Sequence, residues 1–141
     1  MAHLLGLREL KQNRGHAAIG YFEKALDLST PGTRTNDPSV YLYSLAEAFE
    51  LVKEPMRAMT RYDEISTVAP RDSFCGDIYA RSYYRKAKIY DDRWSHSQYE
   101  GVSKSRAIEN YRKFLSLWGD ADPIFSEVAD ARSRLAILES K

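Results

Sequence analysis

"SLAEAFELVKEPMRAMTRYDEISTVAP", Ser44 to Pro70, alternates small and aromatic residues: Ala46, Phe49, Ala58, Tyr62, and then Pro70 closes the stretch. Leu42, Leu45, Ala46, Phe49 and Val52 recur at three- and four-residue steps, which places them on one helix face. Asp37-Pro38 supplies the opening. Asp offers an acceptor at the N-cap, and Pro suits the first helical position, where no backbone donor is needed. Pro55 opens a second helix in the same way, with Met59, Tyr62 and Ile65 on one side, and Pro70 blocks its continuation. The stretch predicts helix, tight turn, helix, stop.

Similar pairs flank it. Upstream, Leu4, Leu5 and Leu7 precede "GHAAIGYFEKALDL", where Ala18, Phe22 and Ala25 mark a helix face. Downstream, "DIYARSYYRKAKIY" carries Tyr83, Ala87 and Tyr90, and "RAIENYRKFLSLW" carries Ala107, Tyr111 and Phe114. A last segment opens at Asp122-Pro123 and runs helically through Val128, Ala131, Leu135 and Leu138. The periodicity predicts an all-α chain of about seven helices. "STPGTRTNDPS" (Ser29 to Ser39) reads as a surface loop. "DDRWSHSQYEGVSKS" (Asp91 to Ser105) is poor in aliphatics and reads as a long loop between the helices of the third pair. Neither is long enough to separate domains, so residues 1–141 are expected to form one.

The order Ala46, Phe49, Ala58, Tyr62, Pro70 resembles the tetratricopeptide repeat, whose period is 34 residues. Leu5, Gly6, Ala18, Phe22 and Ala25 match in the first pair, but Glu9 stands where an aromatic is usual. Ala87, Tyr90, Ala107 and Tyr111 match in the third, with Phe114 replacing a small residue and a longer inter-helix loop. The resemblance implies a right-handed α–α superhelix of three helix pairs, at about residues 2–30, 38–70 and 76–119. A capping helix at about 123–140 would end it, turning Glu127, Asp130, Arg132 and Arg134 outward. "YRKFLSLWGDADP…EVADARSRLAIL" is also similar to the tail of bacterial signalling proteins that end in such repeats, which implies that the chain is the end of a larger protein. An unrelated helical bundle is the alternative.

Composition bounds the function. The chain has 141 residues with 43% hydrophobic and 29% charged, which argues for a folded globular protein. A net charge of +1 disfavours whole-molecule attraction to nucleic acid or anionic membrane. Cys75 is the one cysteine, so no intrachain disulfide forms. "MAHLLGLREL" charges too soon for a signal peptide, and no apolar run reaches a membrane span, so a cytoplasmic setting is expected, with a periplasmic one open.

No catalytic constellation stands out. Gly15 and Gly20 have phosphate-loop spacing, but Tyr21-Phe22 follow inside an amphipathic helix. His3, His16 and His96 lack metal-ligand partners at the right spacing. Asp91, Ser95 and His96 hold the residue types of a hydrolase triad, a set that short polar loops contain by chance, and Asp91-Asp92 reads as a solvated helix end. No enzyme, cofactor or metal is expected.

The repeat resemblance implies binding instead, since the first helix of each pair lines a concave groove. Carried onto this sequence, groove candidates are Tyr43, Glu47 and Glu50 in the second pair and Arg81, Tyr84, Arg85 and Lys88 in the third, with Leu7 and Lys11 in the first. Arg81, Tyr84, Arg85 and Lys88 share one helical stripe, while Tyr83, Ala87 and Tyr90 face neighbouring helices. A basic and aromatic stripe suits an acidic peptide, and a solvated helix face is the competing reading. Tyr43 and Glu47 occupy places where the carboxylate clamp of chaperone-binding relatives carries Lys or Arg and Asn. The expected function is a protein- or peptide-binding module. Self-association through the leucine-rich first helix is the alternative, and RNA binding along the Arg81–Lys88 stripe comes third, opposed by Glu47 and Glu50.

Overall fold

In a computed structural model, residues 1–30, 37–68, 76–96, 100–121 and 124–141 are described. Seven helices occur among them: α1 (Ala2–Lys11), α2 (Gly15–Asp27), α3 (Pro38–Leu51), α4 (Pro55–Val68), α5 (Gly76–His96), α6 (Glu100–Trp118) and α7 (Ser126–Ser140). No strand occurs among the described residues, and the all-α class is observed. The Pro70 stop, Cys75, Asp122-Pro123 and most of the Ser29–Ser39 loop lie outside the described residues.

The cap read at Asp37 is present: its Oδ1 accepts from the Ser39 amide at 2.7 Å, with Pro38 at the helix start. The tight turns are present too, and they are alike. Arg14 N–H reaches the Glu9 carbonyl at 2.9 Å and Asn13 N–H the Leu10 carbonyl at 3.0 Å; Glu54 N–H reaches Phe49 at 2.9 Å and Lys53 N–H Glu50 at 3.0 Å. Each turn pivots on one left-handed residue, Asn13 at φ 58° and Lys53 at φ 63°. That pairing satisfies carbonyls at a helix end while reversing the chain.

The described chain gathers into two compact units, Met1–Tyr79 and Ala80–Lys141. In the first, α1 packs on α2, α2 on α3 and α3 on α4, and α1 also meets α3. Ala18, Phe22, Leu45, Ala46, Phe49, Ala58, Tyr62 and Ile65 are all buried there. The small-and-aromatic order has its steric reason at Gly6, where an added Cβ would lie 2.4 Å from the Phe22 ring. Burying one large apolar side chain contributes about 1.5–3 kcal/mol, so these rings dominate the unit's stability.

The core of the second unit joins Ala80, Tyr84 and Ala87 of α5, Ala107, Tyr111 and Phe114 of α6, and Val128, Ala131 and Leu138 of α7. Here the expected loop from Asp91 is corrected. Helix α5 continues to His96 and α6 begins at Glu100. The extension has apolar and polar reasons, since Trp94 packs against the core and Asp91 is buried and hydrogen-bonded. A hydroxyl-to-carboxylate bond recurs at equivalent places in the two units. Tyr62 donates to Glu50 Oε1 at 2.7 Å, and Tyr111 donates to Asp91 Oδ2 at 3.2 Å. The corresponding residues of the first pair, Phe22 and Leu10, are apolar on both sides.

Candidate functional site

On α5, three of the four residues of the stripe read as a ligand surface, Arg81, Tyr84 and Lys88, meet α7. Arg81 Nε lies 3.4 Å from Glu127 Oε1, Tyr84 donates to Asp130 Oδ2 at 2.6 Å, and Lys88 Nζ lies 3.5 Å from the same oxygen. Arg134 Nε continues the series, 2.8 Å from Asp91 Oδ2. The partners advance in the same direction along both helices, so α5 and α7 run parallel here. The Arg81 guanidinium also sits 5.2 Å from the Trp118 ring centroid and 5.9 Å from that of Phe125.

Tyr84 as an exposed contact is therefore corrected. Its side chain is buried, its ring 5.3 Å from Phe114 and 6.3 Å from Tyr111. Burial, and then the bond to Asp130, pushes its hydroxyl pKa up. Tyr83, expected to face neighbouring helices, is half-buried and packs against the edge of the core. The outward assignment of α7's charges is corrected with it: Glu127, Asp130 and Arg134 are half-buried with partners on α5, and Arg132 alone of the four is an exposed residue, donating to the Gly119 carbonyl at 2.7 Å. The signal was legible in spacing. Glu127, Asp130 and Arg134 fall three and four residues apart, on one edge of a helix, and their charges complement Arg81, Lys88 and Asp91. Arg85 is half-buried and Lys88 exposed.

In the first unit Tyr43, Glu47 and Glu50 share the half-buried edge of α3. Tyr43 stands edge-on to Tyr62 at 5.6 Å between centroids, and Glu50 takes the Tyr62 hydroxyl, so both contribute to packing as well as to surface. On α1, Leu7 is 38% exposed and Lys11 is exposed. Glu9, which departs from the repeat pattern, is buried and accepts from Arg14 and, at 2.9 Å, from Arg8. The Arg14 bond leads in holding its carboxyl down to about 2, against the opposing effect of burial.

The polar sets considered for catalysis do not assemble. The Asp91 carboxylate is engaged by Tyr111 and Arg134, while His96 Nδ1 lies 2.8 Å from the Asp92 carbonyl oxygen. Asp91 is thus a buried structural acceptor rather than the solvated helix end expected. His16 sits exposed in the first turn of α2. Among the described residues no three of His, Cys, Asp and Glu gather as metal ligands. No described helix is long and apolar enough to cross a membrane. No protein-family model matches the chain, and no curated protein matches it.

Proposed function

We propose that this chain is a tetratricopeptide-like, non-catalytic interaction module that binds a peptide or helix of a partner protein along the first helices of its pairs. The observation that carries the reading is the docking of α7 on α5. Here a first-helix stripe takes an acidic helix through Arg81–Glu127, Tyr84–Asp130 and Lys88–Asp130. The same chemistry serves a helix supplied by another molecule. The repeated turn at Asn13 and Lys53 supports the repeat reading. The proposed binding residues are Tyr43, Glu47 and Glu50 on α3 in the first unit and, as a separate surface, Arg85 on α5 in the second, while Lys88 is engaged by Asp130. Arg81 and Tyr84 act there by holding α7. A single cysteine suits a reducing compartment, so the proposed setting is the cytoplasm.

The test is capture from native extract with the wild-type chain, Glu47→Lys and Arg85→Glu, each checked for unchanged helicity. A partner retained by the wild type and lost by either variant is the expected result. Recovery of the same proteins by all three removes the groove from consideration. One observation favours self-association as the second reading: Leu4 and Leu7 on α1 are 66% and 38% exposed, and Met1 just before it is 93% exposed. In that case Leu4→Glu abolishes a concentration-dependent increase in sedimentation coefficient. RNA binding is the weakest reading, because Arg81 and Lys88 already face carboxylates.

A further inference from the structure

A cavity of about 490 Å³ lies against α5 and α6, lined by Tyr83, Glu109, Asn110, Arg112, Lys113 and Ser116. That volume suits a small molecule or a few residues of a peptide. Two of its charged groups are already engaged. Arg106 lies 3.2 Å from the Glu109 carboxylate, and Arg112 Nε donates to Glu139 at 3.0 Å. Lys113 faces no carboxylate within ion-pair distance among the described residues. Its ammonium is 6.0 Å from the Tyr83 ring centroid, the outer limit of a cation–π contact.

A second observation points into the same space. Asn110 is only 8% exposed, and its Nδ2 donates to the Arg106 carbonyl at 2.8 Å. Its Oδ1 meets no donor among the described residues and reaches the open space, so it is available to accept from a ligand. Ser116 donates to the Lys113 carbonyl at 2.7 Å, which leaves its oxygen as an acceptor. The lining thus offers one cation, two neutral acceptors and an aromatic ring. Lys86 Nζ, 4.4 Å from the same ring, adds positive potential. A single uncommitted charge matches a monoanion, whereas a phosphate is better held by an arginine fork, and Arg112 is committed to Glu139.

We propose that this cavity binds a carboxylate carried beside a peptide-type amide: the carboxylate on Lys113 Nζ, the amide N–H on Asn110 Oδ1, and the apolar portion on Tyr83. An acidic side chain within a peptide and the free carboxylate of a chain end both carry that chemistry. The site is separate from the groove residues of α3 and α5 and stands or falls without them.

The experiment is a titration of the whole isotope-labelled chain, followed by amide NMR shifts, with three probes: acetyl-glutamate amide, acetyl-alanine with a free carboxylate, and neutral acetyl-glutamine amide. Saturable shifts at Tyr83, Asn110 and Lys113 with one or both charged probes are expected, and the tighter of the two identifies the source. Loss of one charge-assisted hydrogen bond at an open site weakens binding by about three- to tenfold, both for the neutral probe and for the exposed, fold-neutral Lys113→Gln variant. Absence of saturable shifts overturns the proposal. So does equal binding of the neutral probe, or equal binding by Lys113→Gln. None of these outcomes alters the groove test, which reads Glu47 and Arg85.

Discussion

In the first unit the buried carboxylate of Glu9 is held by Arg8 and Arg14, one and five residues away in sequence. In the second, the buried carboxylate of Asp91 is held by Tyr111 and Arg134, 20 and 43 residues away. The first arrangement closes within one helix and its turn. The second requires three helices at once, which makes α7 part of the second unit's core rather than a lid on it. The contrast is one of sequence range: the Glu9 bonds close within a single hairpin, whereas the Asp91 bonds join all three helices of Ala80–Lys141.

The hardest blow to that contrast is Phe114→Ala. Truncating a fully buried phenylalanine costs about 3–5 kcal/mol. Both tryptophans, Trp94 and Trp118, lie in the second unit, so fluorescence reports it alone while far-UV dichroism reports the whole chain. The fluorescence transition is expected to move to lower temperature than the dichroism transition. Coincident transitions would mean that the two units unfold as one.

Next comes Asp91→Ala, which strips a buried acceptor from Tyr111 and Arg134 and costs about 2–3 kcal/mol. Urea unfolding followed by tryptophan fluorescence should show it, whereas Glu9→Ala should leave that signal in place. An equal shift from both would erase the local-versus-distant distinction. Ala58→Leu overpacks a fully buried position of the first unit and costs about 1–3 kcal/mol, read by dichroism with fluorescence unmoved. An unchanged melting temperature would place Ala58 outside the close helix contact.

Acid offers a graded version of the comparison. His3 bonds Ser44 Oγ at 3.0 Å and packs against Phe22 and Tyr41. Burial first, then the N-terminal ammonium, lowers its pKa from 6.5. Below that value the unfolded chain takes up a proton that the folded one refuses, so first-unit stability falls as pH drops from 6.5 toward the folded value. His3→Gln should flatten that limb of the dichroism melting curve against pH. Glu9, held at about 2, loses its contribution at lower pH still. The smallest effect belongs to Lys88→Ala. Its bridge to Asp130 is 3.5 Å long and exposed, so its removal should change stability by about 0–1 kcal/mol. A larger loss would mean that charge, rather than the buried rings, holds α7 in place.

Much of the architecture was legible residue by residue. The Asp37-Pro38 opening, the Pro55 start, and the burial of Ala18, Phe22, Phe49, Ala58, Tyr62, Ala107, Tyr111 and Phe114 follow from local chemistry and helical period. Such features depend on residues a turn or two apart. The misreadings share a different cause. "DDRWSH" looks like a loop because it lacks aliphatics, yet it is helical where Asp91 finds Arg134 and Trp94 finds the core. Tyr83 and Tyr84 are adjacent and chemically identical. The repeat pattern places Tyr83 toward the neighbouring helices and Tyr84 on the ligand stripe; both pack on the core, and Tyr84 is the one α6 and α7 enclose.

By itself, then, the sequence determined that this chain is helical, where most of its helices begin, and which small and aromatic residues are buried, because helix period, caps and prolines act over a few residues. Tertiary structure alone decided that α7 lies along the basic stripe of α5, that Asp91 is buried and satisfied, and that Asn110 and Lys113 share a cavity with Tyr83. Those outcomes depend on which charge meets which across tens of residues, and a one-dimensional pattern does not encode that distance.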